Sequence, residues 1–66
     1  MAASRITIEQ VVREDYGVCP ERAPEYCVSW AFTVVKNSLG EDEARRQLSN
    51  FNRFREQHGF PICLVS

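Results

Sequence analysis

Tyr26-Cys27-Val28-Ser29-Trp30-Ala31-Phe32-Thr33-Val34-Val35 is the stretch on which the fold turns. Read with a period of two, it sets Tyr26, Val28, Trp30, Phe32 and Val34 on one face. The smaller Cys27, Ser29, Ala31, Thr33 and Val35 fall on the other, as a strand requires. Read with a period of 3.6, it gathers Glu25, Ser29, Thr33, Lys36 and Asn37 on one polar side, with Pro24 at the first helical position. Both patterns are regular, so composition breaks the tie. Ala31 is the one strong helix former, whereas Val, Trp, Phe, Tyr and Thr favour extended structure. The strand reading is ahead.

The segment C-terminal to this stretch is less ambiguous. A helix is expected from about Ser38 to His58. Ser38-Leu39-Gly40-Glu41 has the form of a capping box, in which a serine oxygen and a glutamate carboxylate satisfy each other's backbone N–H groups. Glu41, Asp42 and Glu43 complement the positive end of the helix dipole; Arg53, Arg55 and His58 complement the negative end. Gly59 supplies a left-handed stop and Pro61 prevents continuation. Ala44, Leu48 and Phe51 form the apolar stripe, flanked by Phe54, and Glu43, Arg46, Asn50, Arg53 and Gln57 face solvent. Glu41–Arg45 and Asp42–Arg46 are i,i+4 pairs in the favourable order. Arg55 falls inside the stripe. Its expected explanation is a packed stem with the charged head in water; the functional alternative is an anchor at a protein interface.

After the helix, Phe60, Ile62 and Leu64 alternate in Phe60–Ser66, a pattern that suits a short strand. A strand needs a partner, and residues 26–35 are the available one. The expected architecture is therefore α+β: an N-terminal helix, then strand–helix–strand with the long helix packed on a small sheet. The alternative is a three-helix bundle with an extended C-terminal tail.

N-terminal to the deciding stretch, Ile8, Val11, Val12 and Tyr16 share one helical face between Thr7 and Gly17. Thr7 with Gln10 makes a capping box and Gly17 a C-terminal stop, which favours helix over the competing alternation of Ile6, Ile8 and Val12. Residues 18–25 read as a loop, because Cys19-Pro20 and Ala23-Pro24 bias the preceding residues toward extended geometry.

Bulk properties narrow the function classes. The chain has 66 residues, enough for one domain (1–66) whose stability is marginal, with four Phe, two Tyr and one Trp to build a core. The net charge of −1, from seven Arg and one Lys against nine carboxylates, argues against a dedicated nucleic-acid binder and equally against an acidic mimic of nucleic acid. No apolar run is long enough for a secretory signal or a membrane span. Three cysteines without a signal imply reduced thiols and a cytoplasmic protein.

Candidate chemistry is sparse. Cys19, Cys27, His58 and Cys63 supply four ligands of the kind a structural zinc takes. Their spacing lacks the Cys-x2-Cys hairpin of a specific motif. The plainer expectation is no metal and no cofactor: Cys27 and Cys63 pack as small hydrophobes, Cys19 is a loop thiol, and His58 interacts with a helix C-terminus. A disulfide between two of the three cysteines is a second possibility, and pairing of 26–35 with 60–66 as strands would bring Cys27 close to Cys63. No local signature of catalysis surrounds any cysteine, so no enzyme is expected. Arg45, Arg46, Arg53 and Arg55, with Asn50 and Asn52 between them, could contact nucleic acid, but nearby acids neutralise that face. Trp30, Tyr26 and Phe32 are either core or hot spots for a partner.

The resulting expectation is a non-enzymatic module that binds another protein or protein complex and acts by occupying its surface, with a homodimer as a variant of the same idea. The expected partner-binding residues are Arg46, Asn50, Arg53, Arg55 and Trp30. In size and general character the chain resembles the inhibitors encoded by bacteriophages and other mobile elements, anti-CRISPR proteins among them. The alternatives are a nucleic-acid-associated regulator using the arginine face, or a zinc- or redox-responsive cysteine protein.

Overall fold

The computed structural model describes residues 6–65, so the readings of the first five residues and of Ser66 lie outside it. Among the described residues, three helical segments form a bundle. The first, α1, is Ile8–Val11 and runs directly into a widened π turn, Val12–Tyr16. A 3-10 turn at Pro20–Arg22 leads to α2, Glu25–Leu39, and then to α3, Glu41–Gln57. No strand occurs among the described residues.

The deciding stretch is helix, and the α+β expectation gives way to the three-helix bundle with an extended C-terminal segment. The reason is visible in which side chains are buried. Cys27, Val28, Ala31, Phe32 and Val35 are all in the core, a spacing of one, four, five and eight that only a helix presents on one side. Tyr26 and Trp30, which a strand would have put inside, are 65% and 48% exposed. Strand propensity is worth at most about 1 kcal/mol in context, whereas each buried aliphatic or aromatic side chain contributes about 1.5–3 kcal/mol. Packing decides, not propensity.

A second correction concerns Ser38. It lies within the last turn of α2 and caps nothing. The break between α2 and α3 is the single residue Gly40, at φ 98° and ψ 160°. Its N–H donates to the Lys36 carbonyl (2.9 Å), closing α2, while its own carbonyl accepts from the Ala44 N–H (3.1 Å), opening α3. The glutamates and aspartate that follow still occupy the first turn of α3. At the far end the Gly59 N–H donates to Glu56 O (3.0 Å) and the Phe60 N–H to Arg55 O (2.9 Å), the paired bonds of a Schellman stop. At the start of α1, the Thr7 hydroxyl accepts from the Gln10 N–H (3.1 Å), and Gly17 ends the π turn in the left-handed region at φ 65°.

Helices α2 and α3 pack as an antiparallel hairpin and α1 lies across both. The core runs from Ile8, Val11 and Val12 through Val28, Phe32 and Val35 to Ala44, Leu48 and Phe51, with Ala23 and Cys63 closing one end. Tyr16, expected on the inward face of α1, is instead 39% exposed.

Three polar side chains of α3 hold the segments outside the helices. The Gln47 amide accepts from the Ile8 N–H (2.9 Å) and donates to Ile6 O (3.1 Å). The Asn52 amide accepts from the Cys63 N–H (2.8 Å) and donates to Cys63 O (2.9 Å). Each amide does what a neighbouring strand would do, so 60–65 stays extended without a sheet. The third is Arg55, only 5% exposed. Its guanidinium donates to Ala23 O (2.7 Å), Pro20 O (3.2 Å) and Pro61 O (3.0 Å). The expectation of a head in water is overturned: this charge is inside, solvated by backbone carbonyls.

Candidate functional site

The π turn buries Val12 and leaves residues 13–16 outward, which brings Asp15 and Tyr16 beside the start of α2. There Tyr16 meets Tyr26 edge to face, ring centres 5.9 Å apart at 79°. One turn along α2, the Trp30 indole N–H donates to Asp15 Oδ2 at 2.8 Å. Both side chains are long enough to move freely on a surface, but here each is fixed by a specific contact. The result is an exposed aromatic face of Tyr16, Tyr26 and Trp30 with a carboxylate bonded to the Trp30 indole. Desolvation first, then the neighbouring Cys27, Tyr26 and Asp15, push the Tyr16 phenol above its ordinary pKa.

The outward side of α3 is a different surface. Arg46 grips Glu43 with two nitrogens (2.6 and 3.0 Å), and Arg45 grips Glu41 likewise (2.8 and 2.9 Å). The expected Asp42–Arg46 pair is thus replaced by an i,i+3 pair. Glu43, expected on the solvent side, is half-buried. Hydrogen bonding and charge from Arg45, with Lys36 beyond it, hold the Glu41 carboxyl below its usual range. The bond to Glu43 raises the Arg46 guanidinium in the same way. Two of the arginines on which a nucleic-acid face would rely are therefore already engaged. Arg46 and Asn50 rim a groove of about 360 Å³ floored by Ile8, Phe51 and Phe54.

The five expected partner-binding residues do not form one surface. Trp30 belongs to the aromatic face between α1 and α2. Arg46 and Asn50 flank the groove between α1 and α3, and Arg53 is exposed outside it. Arg55 is buried beneath the loop at 20–23. Asp15 and Tyr16 were not singled out by sequence reasoning. The apolar spacing of α1 puts Tyr16 on the inward face of a regular helix, and the π turn carries it outward; no spacing marks Asp15.

Cys19, Cys27, His58 and Cys63 do not converge. Among the described residues no three His, Cys, Asp or Glu side chains are placed to hold a metal ion. Cys27 and Cys63 are buried, Cys19 is exposed, and all three are free thiols. The Nδ1 of His58 lies 2.9 Å from Phe54 O, and its ring is 4.4 Å from that of Phe54. Burial raises the Cys63 thiol pKa, opposed by the charge of Arg55. A thiolate is the reactive species. Titration of the native protein with an aromatic disulfide reagent at neutral pH is therefore expected to show one fast thiol, absent in Cys19→Ser. The other two should react only on denaturation; three equally fast thiols would contradict the packing.

No helix among the described residues is long and apolar enough to cross a membrane. Comparison with protein-family models, with curated proteins and with solved structures gives no match to this chain.

Proposed function

We propose that the protein is a non-enzymatic binding module that acts by occupying the surface of a partner protein, and that the face built from Asp15, Tyr16, Tyr26 and Trp30 makes the contact. The observation that carries this reading is the preorganisation of that face. Tyr and Trp are the residues most enriched at interface hot spots, because they bring large contact area with few rotors to freeze. Here those rotors are already restrained, by an indole–carboxylate hydrogen bond and an edge-to-face ring pair. The single histidine is bonded to a helix carbonyl and two of the three thiols are packed in the core, which supports binding over catalysis. Unbridged thiols support a cytoplasmic setting.

The test is site-specific photocrosslinking in the cells that express the protein. A benzophenone side chain replacing Tyr26 should yield one discrete protein adduct, and the same group at Ser49 on the outer side of α3 should not. Trp30→Ala should keep the helical signal while weakening the adduct at least about tenfold. Adducts from position 49 and none from 26 would transfer the role to α3 and overturn the assignment.

A further inference from the structure

The aromatic face carries a charge that protein binding in general would not require. Asp15 lies on it and Glu14 lines the adjoining groove with Asp15, and each accepts a hydrogen bond from a neutral donor: the Trp30 indole (2.8 Å) and the Gln10 amide (3.1 Å). The nearest basic residue in sequence, Arg13, is committed to Glu9 at 3.0 Å. Lys36 acts on Glu41 at the other end of α2. Among the described residues, then, a carboxylate bonded to Trp30, with a second beside it in the adjoining groove and neither paired with a cation, adjoins three exposed rings whose faces are themselves electronegative.

We infer that this face receives an arginine side chain of the partner protein, an assignment that rests on the protein-binding role proposed above. A guanidinium stacks on Trp30 or Tyr26 while its N–H groups reach the lone pairs that Asp15 does not offer to the indole. Arginine fits better than lysine. It is planar, weakly hydrated and able to stack and donate at once, whereas an ammonium is a strongly hydrated point charge. The chain uses the same pairing internally: Arg22 over Phe60 (5.9 Å), Arg45 over Phe32 (5.7 Å) and Arg55 over Phe51 (5.9 Å). Among the described residues, the Tyr16–Tyr26–Trp30 rings have no such cation from the chain itself.

The probe is an acetylated and amidated Gly-Arg-Gly-Arg-Gly peptide, with lysine and citrulline counterparts. It is titrated at low salt into the protein while the Trp30 indole N–H is followed by NMR. The arginine peptide is expected to shift that resonance saturably, with a Kd on the order of 1 mM. The lysine peptide should bind several-fold more weakly and the citrulline peptide, uncharged but of the same shape, should not bind. Glu14→Gln combined with Asp15→Asn keeps an oxygen to accept from the indole and removes both charges. It should weaken the arginine peptide about tenfold. Equal binding of citrulline, or indifference to the double substitution, would overturn the inference. So would an indole shift that follows protein concentration without peptide, which would assign the face to a second copy. If the benzophenone at position 26 captures a protein but the arginine peptide fails, the arginine specificity falls and the binding role stands.

Discussion

Arg55→Ala is expected to leave the protein largely unfolded at 37 °C. A domain of this length is stable by only about 3–10 kcal/mol. Arg55 makes three hydrogen bonds from a charged donor to Pro20, Ala23 and Pro61 carbonyls, two of them with both partners buried. Truncation leaves those acceptors to find water or remain unpaired, and each buried orphan costs about 1–3 kcal/mol. Part of that is recovered as the opened space hydrates, so the expected loss is about 4 kcal/mol. That corresponds to a fall in Tm of about 20 °C at the 4–8 °C per kcal/mol typical of small domains. Arg55→Met is the informative companion. It keeps an aliphatic stem of similar length and removes only the guanidinium, which also lies over the Phe51 ring at 5.9 Å. If the stem alone mattered, Met would be nearly neutral; the structure requires it to be almost as damaging as Ala. Arg55→Lys should fall between, because one compact ammonium cannot serve carbonyls from both the 20–23 loop and the tail. Thermal denaturation followed by circular dichroism measures all three.

Gly40→Ala carries the second large effect, expected at about 2 kcal/mol, or about 10 °C in Tm. Space is not the issue, since a Cβ on Gly40 would meet nothing within 4 Å. The cost is conformational: φ 98° with ψ 160° is a region closed to side chains of L chirality and open to glycine. The mirror-image residue separates this from every other explanation. D-alanine at position 40, introduced by chemical synthesis, adopts the same angles without strain and restricts the unfolded chain. It should raise the Tm slightly above that of the parent. Equal destabilisation by L- and D-alanine would show that the hinge is not held at these angles.

These two residues also show where sequence was and was not sufficient. The caps of α1 and the stop at Gly59 are local devices, dependent on a few adjacent residues, and were legible as such. The stripe of Ala44, Leu48 and Phe51 was legible because its period is clean. Gly40 was visible only as part of a supposed capping box, because a one-residue break between helices looks the same in sequence as the interior of one long helix preceded by a serine. The helix at 25–39 was hidden for a different reason. Its β-branched and aromatic residues are there to fill a helical interface, so propensity pointed one way and packing the other. Arg55 was placed correctly in the stripe, yet its partners lie more than thirty residues away in sequence for Pro20 and Ala23, and no local pattern announces them. The aromatic face shares that difficulty. The indole–carboxylate bond between Trp30 and Asp15 depends on the angle between two helices and on a π turn that spacing alone does not reveal.

The amides of Gln47 and Asn52 have a consequence for how the molecule comes apart. Near each end of the described chain one amide of α3 grips backbone groups with its oxygen and nitrogen, beside the apolar anchors Ile8, Val11 and Val12 at one end and Cys63 at the other. Such a fastening can be released without unwinding α3 and without separating α2 from α3. Residues 60–65 can therefore fray as a local opening, whereas α1, buried through Ile8, Val11 and Val12, comes away only with the core. The tail supplies one of the three carbonyls that Arg55 donates to, so when it frays the guanidinium is still held by Pro20 and Ala23.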